Sequence, residues 1–225
     1  MFRNIPPAVM NLLIINGLVF LLLHLFPPLQ HYFVLSKNDL LGFRHTCSYE
    51  GHTFYIDAAG RCNASMSPAD FNSVQLVTCF FAHIDFLHIL FNMLALVSIG
   101  GAIEMVMGSR RFMEFYLFCG VFASLAIAFL DPSNHPVLGA STSISGVLVA
   151  FALIFPRQQL ILFPIPIPIR AQTLVFGAFA LSLTLVILET RRIIAPSGVS
   201  HFGHLAGMVG AVFYFLFGRF IGLNK

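Results

Sequence analysis

The sequence predicts an all-α polytopic membrane protein: six transmembrane helices in a bundle, with a long extracytoplasmic loop after the first. Three observations predict it. Of 225 residues, 58% are hydrophobic and 9% are charged, where a soluble domain carries roughly a quarter charged residues. Apolar runs of about 20 residues, the length that crosses roughly 30 Å of hydrocarbon, recur along the chain. Charges, Gly and Pro fall mainly between those runs. Twelve Lys and Arg with nine Asp and Glu cannot cover the surface of a soluble domain of this size, so the solvent for most of the chain is lipid. The net charge of +3 forms no basic stripe, which argues against nucleic acid as a partner.

The expected spans are 7–26, 88–107, 112–130, 137–155, 171–188 and 201–220, all within one membrane domain covering residues 1–225. The first continues into the chain without an A-x-A-like cleavage pattern and is read as a retained span, not a removed signal peptide. The stretch 27–87 is too long for a passive turn and mixes Phe, Tyr and Leu with charges, as a segment in the headgroup region would. It carries Cys47 and Cys62, whose extracytoplasmic position would permit a disulfide, with two free thiols as the equal alternative. Pro156, Pro164, Pro166 and Pro168 forbid a helix between the fourth and fifth spans and favour extended backbone. Placing the amino terminus inside puts Arg3, Arg110, Arg111, Arg157, Arg170, Arg219 and Lys225 on the cytoplasmic side. The rule that cations stay inside therefore favours two cytoplasmic termini, although Arg191 and Arg192 oppose it.

Polar residues inside spans are costly and usually face the bundle interior. Here they gather at one end. Spans two, four and six all enter from the extracytoplasmic face, and each carries polar groups in its first turns: His83, His88 and Asn92; Ser141, Thr142, Ser143 and Ser145; His201 and His204. At 1.5 Å per residue, Ser141 and His204 are expected about 5 to 10 Å below their helix starts, in a shared polar chamber. His88 and Asn92 lie four apart on one helix face and offer two donors to one target. A Ser hydroxyl, a His and paired donors are the parts of an acyl-transfer site. With no carboxylate at that depth, a Ser-His dyad is expected rather than a triad. Gly203, Gly207 and Ala211 offer a smooth face to the small residues Gly139, Ala140, Ser141, Ser145 and Gly146, so two helix backbones can approach closely. A metal site is disfavoured by the absence of H-E-x-x-H and of an acidic third ligand. G-x-S-x-G is not matched either, because Ser143, after Thr142, stands where that motif has its second Gly.

Four blocks of residues resemble the rhomboid intramembrane serine proteases. They are Phe81 to Met93, similar to that family's H-x-x-x-x-H-x-x-x-N-M; Glu104 with Gly108 to Phe112; Gly139-Ala140-Ser141 with Gly146; and His201 to Gly207. The resemblance implies a six-span core, Ser141 as nucleophile, His204 as general base, and His88, Asn92 and the Ser141 backbone N–H around the oxyanion. It also implies no metal or organic cofactor, transmembrane segments of other proteins as substrates, and lateral entry near the fifth span. Rhomboids usually carry Gly after the nucleophile and often an aromatic four residues on; this chain has Thr142 and Ser145, so an expected packing partner of the base is missing. Sliding the motif onto Ser145 would lose the Gly139-Ala140 and Gly146 spacing and lower the hydroxyl by about one turn. A rhomboid-like protein that binds transmembrane segments without cutting them is the first rival. A small transporter is the second, and the apolar lower halves of spans four and six oppose it. Its small six-span size suggests a bacterial inner membrane as the location.

Overall fold

The computed structural model describes residues 5–35, 46–49, 52–56, 62–63, 73–131, 137–161, 167–195 and 197–218. Both termini, with Arg3, Arg219 and Lys225, lie outside these. Helix α1 (Pro7–Leu25) starts on Pro6-Pro7, because proline pre-sets the first helical φ and has no N–H to leave orphaned. A 3-10 turn, Pro27–Tyr32, follows. Three short strands, β1 (Thr46–Tyr49), β2 (His52–Ile56) and β3 (Cys62–Asn63), form an antiparallel sheet in the order β1-β2-β3. The one-turn helix α2 (Gln75–Thr78) runs into a 3-10 turn at Cys79–Phe81. Then come α3 (Phe86–Met107), α4 (Ser109–Leu130) and α5 (Ser141–Ile154). A hairpin of β4 (Gln159–Ile161) and β5 (Pro168–Arg170) leads to α6 (Ala171–Thr190) and α7 (His201–Gly218). The small sheets qualify the all-α expectation, and of the proline-rich segment the described parts 159–161 and 168–170 are extended.

Helices α1, α3, α4 and α6 are long and apolar enough to cross a bilayer; α5 and α7 are apolar but shorter. The protein is thus a polytopic membrane fold built on several long apolar helices. Helix α5 is the inner element. Thr142, Ser143, Ile144, Gly146, Val147, Val149, Ala150, Phe151 and Ala152 are all buried, against α4 on one side and α7 on the other. By contrast, α6 buries only Ala171 and Ser182, so most of its surface is left for lipid.

Close approach of α5 and α7 follows from glycine. A Cβ on Gly207 would overlap the Thr142 carbonyl oxygen, and one on Gly146 would overlap the Cys119 sulfur. The stripe expected from the sequence is therefore used at Gly203 and Gly207, which face Thr142. At the opposite end of the bundle, the buried Glu104 carboxylate accepts the Ala8 and Val9 amides, each at 2.8 Å, and the Ser109 hydroxyl at 2.6 Å. Those amides belong to the first turn of α1, where no intrahelical acceptor exists, and a carboxylate at the positive end of the helix satisfies them. Glu104 thereby fastens α1 to α3 and α4.

Two of the six expected spans, the fourth and the sixth, are helices shorter than the other four, and the fourth also starts late. The fourth was expected over 137–155, yet α5 begins at Ser141. Val137 is held extended by reciprocal backbone hydrogen bonds with Leu35, at 2.8 and 3.0 Å, and the Gly139 amide donates to the Cys79 carbonyl at 2.8 Å. Gly139 also has φ +120°, a conformation that ends any helix and that side chains disfavour.

Candidate active site

Fourteen residues at 1.5 Å each make α5 about 21 Å long, less than the thickness of a bilayer's hydrocarbon. The non-helical entry 137–140 carries the chain to that recessed start, and such backbone is tolerated at depth only when protein or a water-filled cavity satisfies it. Ser141 is the first residue of α5 and not several residues inside it, which corrects the depth expected from the sequence. Its backbone N–H is consequently one of the orphan donors of a helix N-terminus.

Ser141 and His204 meet across α5 and α7: the Ser141 hydroxyl and His204 Nε2 are 2.8 Å apart. His204 closes the first turn of α7, its amide donating to the Ser200 carbonyl at 3.1 Å. The glycine contacts with Thr142 set this separation, because a bulkier α7 would push the imidazole away from the hydroxyl. Among the described residues, the imidazole–carboxylate pairing is that of His201 with Glu189; none involves His204. Asp85, the acid closest in sequence to the site, instead caps α3 by accepting the His88 amide at 2.8 Å.

His88, Asn92, Ser141 and His204 line one cavity of about 270 Å³, together with Phe91 and Val199. The His88 ring lies so close to Gly139 that a Cβ there would overlap it, at 2.8 Å from Cε1 and Nε2. Asn92 donates one amide hydrogen to the His88 carbonyl at 2.9 Å, and its NH₂ group has a second. Three donors, the His88 ring N–H, the second Asn92 N–H and the Ser141 backbone N–H, thus border the hydroxyl that faces His204.

Ser145 does not join this group. Its hydroxyl donates to the Ser141 carbonyl one turn back, at 2.7 Å, the habit of a helical serine. Thr142 is buried with its methyl against Gly203, so the threonine that replaces glycine is spent on packing. His83 does join it. Its ring stands edge-on to His88 with centroids 4.9 Å apart, and its Nε2 accepts the Ala140 amide at a long 3.5 Å. Burial, aided by the neighbouring His88, pushes the His83 imidazole down to about 4, so it is neutral at physiological pH.

Sequence reasoning named His83 as part of the chamber but gave it no task, and it missed Phe91 and Val199 as walls. Phe91 was findable, three residues after His88 on the same helix face; Val199, in a connection, carried no signal. Cys47 and Cys62 stand on the outer strands β1 and β3, opposite Phe54 and Ile56 of β2. Their side chains, and with them the possible disulfide, lie outside the described residues. Among the described residues no group of three or more His, Cys, Asp or Glu is arranged to hold a metal ion.

Comparison with known proteins gives this arrangement its context. The family model described as Rhomboid domain matches residues 71–220, two thirds of the chain and every element that lines the cavity. The chain is 31% identical over 140 residues to "Rhomboid protease GluP" of Bacillus subtilis (strain 168), covering 62% of this chain and 25% of that protein. It is 31% identical over 106 residues to "Rhomboid protein 1, mitochondrial" of Saccharomyces cerevisiae, covering 43% of this chain and 30% of that protein. Identity to "RHOMBOID-like protein 12, mitochondrial" of Arabidopsis thaliana is 30% over 151 residues, covering 59% of this chain and 42% of that protein. The matches thus span between a quarter and less than half of these relatives' length. By the extent of the domain match and the order of its motif residues, the chain belongs to the rhomboid family of intramembrane proteases.

Proposed function

We propose that the protein is a serine endopeptidase that cleaves transmembrane segments of other membrane proteins near the extracytoplasmic face, using Ser141 and His204 as a dyad. The observation that carries this reading is the 2.8 Å contact between the Ser141 hydroxyl and His204 Nε2, in a cavity that His88 and Asn92 also line. In the proposed reaction the Ser141 oxygen attacks the scissile carbonyl carbon while His204 Nε2 takes the hydroxyl proton. Charge gathers on the carbonyl oxygen, where His88, the second Asn92 N–H and the Ser141 backbone N–H donate to it. Collapse expels the amine, which receives the proton from His204, and leaves an ester on Ser141. Water, deprotonated by the same imidazole, then releases the acid and restores the serine. Neither a metal nor an organic cofactor enters the scheme.

In this reading the six apolar helices all span, α5 and α7 recessed among the longer four, within one rhomboid-like membrane domain covering residues 1–225. Both termini face the cytoplasm, and the membrane is a bacterial inner membrane. The substrate must unwind before its backbone can reach Ser141, so segments with Gly or Pro are favoured.

The test is cleavage of a reporter transmembrane substrate in liposomes by wild type, Ser141→Ala, Ser145→Ala and His204→Ala, each checked for folding. Loss of cutting in Ser141→Ala and His204→Ala, with Ser145→Ala active, is expected. An inactive Ser145→Ala beside an active Ser141→Ala would move the nucleophile. No cutting by wild type, with no labelling of Ser141 by a serine-reactive phosphonate, would favour a protein that binds transmembrane segments without cleaving them.

A further inference from the structure

The catalytic cavity lies at the start of α5; at that helix's other end, the connection to α6 forms a feature that the proposed chemistry does not use. There β4 and β5 pair in the register Gln159↔Arg170, Leu160↔Ile169 and Ile161↔Pro168. Both strands alternate exposed, half-buried, exposed, so their side chains sort onto two faces. Leu160 packs against the bundle core and, with its half-buried partner Ile169, makes the inner face. Backbone hydrogen bonds fix the base of the hairpin. The Ala171 amide donates to the Gln158 carbonyl at 2.9 Å and the Gln172 amide to the Pro156 carbonyl at 3.4 Å, which satisfies two orphan donors at the start of α6. Residues 162–166, between the strands, lie outside those described.

The outer face is divided along its length. Toward the tip, Ile161 and Ile167 are 69% and 60% exposed. Toward the base stand Arg157, Gln159 and Arg170, all exposed. Neither arginine has a carboxylate partner among the described residues. Strands of three residues pair too little to stand alone in water, and bare apolar side chains on them would invite association. The position of the hairpin says what covers them. Helix α6 begins directly after Arg170 and buries only Ala171 and Ser182, so the outer face runs on into a surface already left to lipid. An apolar tip with cations at its base is also the order in which a membrane presents hydrocarbon and then phosphate.

We propose that the β4–β5 hairpin is an anionic-phospholipid site: its apolar tip lies among the acyl chains of the leaflet remote from the catalytic cavity, and Arg157 and Arg170 bind the headgroup phosphate. The inference rests on α5 and α6 spanning the bilayer and is independent of proteolysis.

The chain has no tryptophan, so Ile167→Trp supplies a single fluorescent reporter at the tip, and Ile161→Trp supplies a second from the paired strand. Each full-length variant is placed in nanodiscs of equal parts phosphatidylcholine and phosphatidylglycerol, with brominated acyl chains on one lipid or the other. Bromine quenches tryptophan only at contact. Both brominated lipids are expected to quench, with aqueous acrylamide quenching weakly. Brominated phosphatidylglycerol is expected to quench about two- to fourfold more than brominated phosphatidylcholine, because surface arginines attract anionic lipid. Adding Arg157→Gln and Arg170→Gln together is expected to bring that ratio to about one while total quenching stays. Strong acrylamide quenching without lipid quenching would place the tip in water and overturn the proposal. So would protection from both quenchers, which would mean a protein cover such as a second copy of this chain. Equal quenching by the two lipids before the arginines are changed rules out the headgroup site, and a preference that survives their loss rules out Arg157 and Arg170 as its ligands.

Discussion

Asn92, in the cavity wall, and His83, behind His88, illustrate how differently two neighbouring residues act. Asn92 already spends one N–H on its own helix, so the second is held in a fixed direction and costs little to reorganise when an oxyanion forms. Asn92→Ala is therefore expected to lower kcat about a hundredfold with KM changed less, since removing one preorganised donor typically costs that much; reporter kinetics measure the split. His83 touches no reacting atom in the scheme. Its neutral form is the one the fold binds, because burial lowers its pKa from an ordinary 6.5 to about 4. Between these values the unfolded chain binds more protons than the folded one, so stability present above pH 6.5 is lost as pH falls toward 4. Melting temperature in detergent is expected to drop by several degrees across that window, and His83→Gln to flatten the drop. If His204 is the base, activity is expected to show its own acid limb, because a protonated imidazole accepts no proton from Ser141. An unchanged rate from neutral to strongly acidic pH would remove His204 from the base's role.

At the level of elements, two contacts hold the bundle by opposite means. Gly207 works by lacking a side chain: a methyl there overlaps the Thr142 carbonyl, which as helix backbone has little room to yield. Gly207→Ala is expected to cost about 1–3 kcal/mol by overpacking and to reduce cleavage more than tenfold as the imidazole backs away from the serine; thermal melts and reporter assays check the two together. Glu104 works by satisfying three donors at once. Glu104→Ala leaves the first turn of α1 without acceptors, an expected loss of about 1–3 kcal/mol read as a lower melting temperature. The six apolar segments were legible because hydropathy over some 20 residues is a local property. The start of α5 was not, because Val137 is kept out of the helix by Leu35, a partner about a hundred residues earlier.

For the whole molecule, charge and burial divide the information. The excess of Lys and Arg on one set of loops gives a definite expectation: reporters fused at either end report a cytoplasmic location, and an exported reporter at either end would invert the proposed topology. The uneven burial of α5 and α6 was not readable from their sequences. Both are apolar, yet one is enclosed by α4 and α7 and the other mostly faces lipid, since hydropathy does not distinguish a protein neighbour from a lipid one.

By itself the sequence determined that lipid is the solvent, where the apolar segments run, and that His88, Asn92, Ser141 and His204 belong to one polar end of the bundle; composition, helical period and motif spacing carry that much. Tertiary structure decided that Ser141 opens its helix, that Thr142 and Ser145 serve packing and backbone, that His83 stands against His88, and that Glu189 reaches His201. Each of these depends on a contact or backbone conformation set by the fold, and a residue's type does not say which neighbour the fold will bring to it.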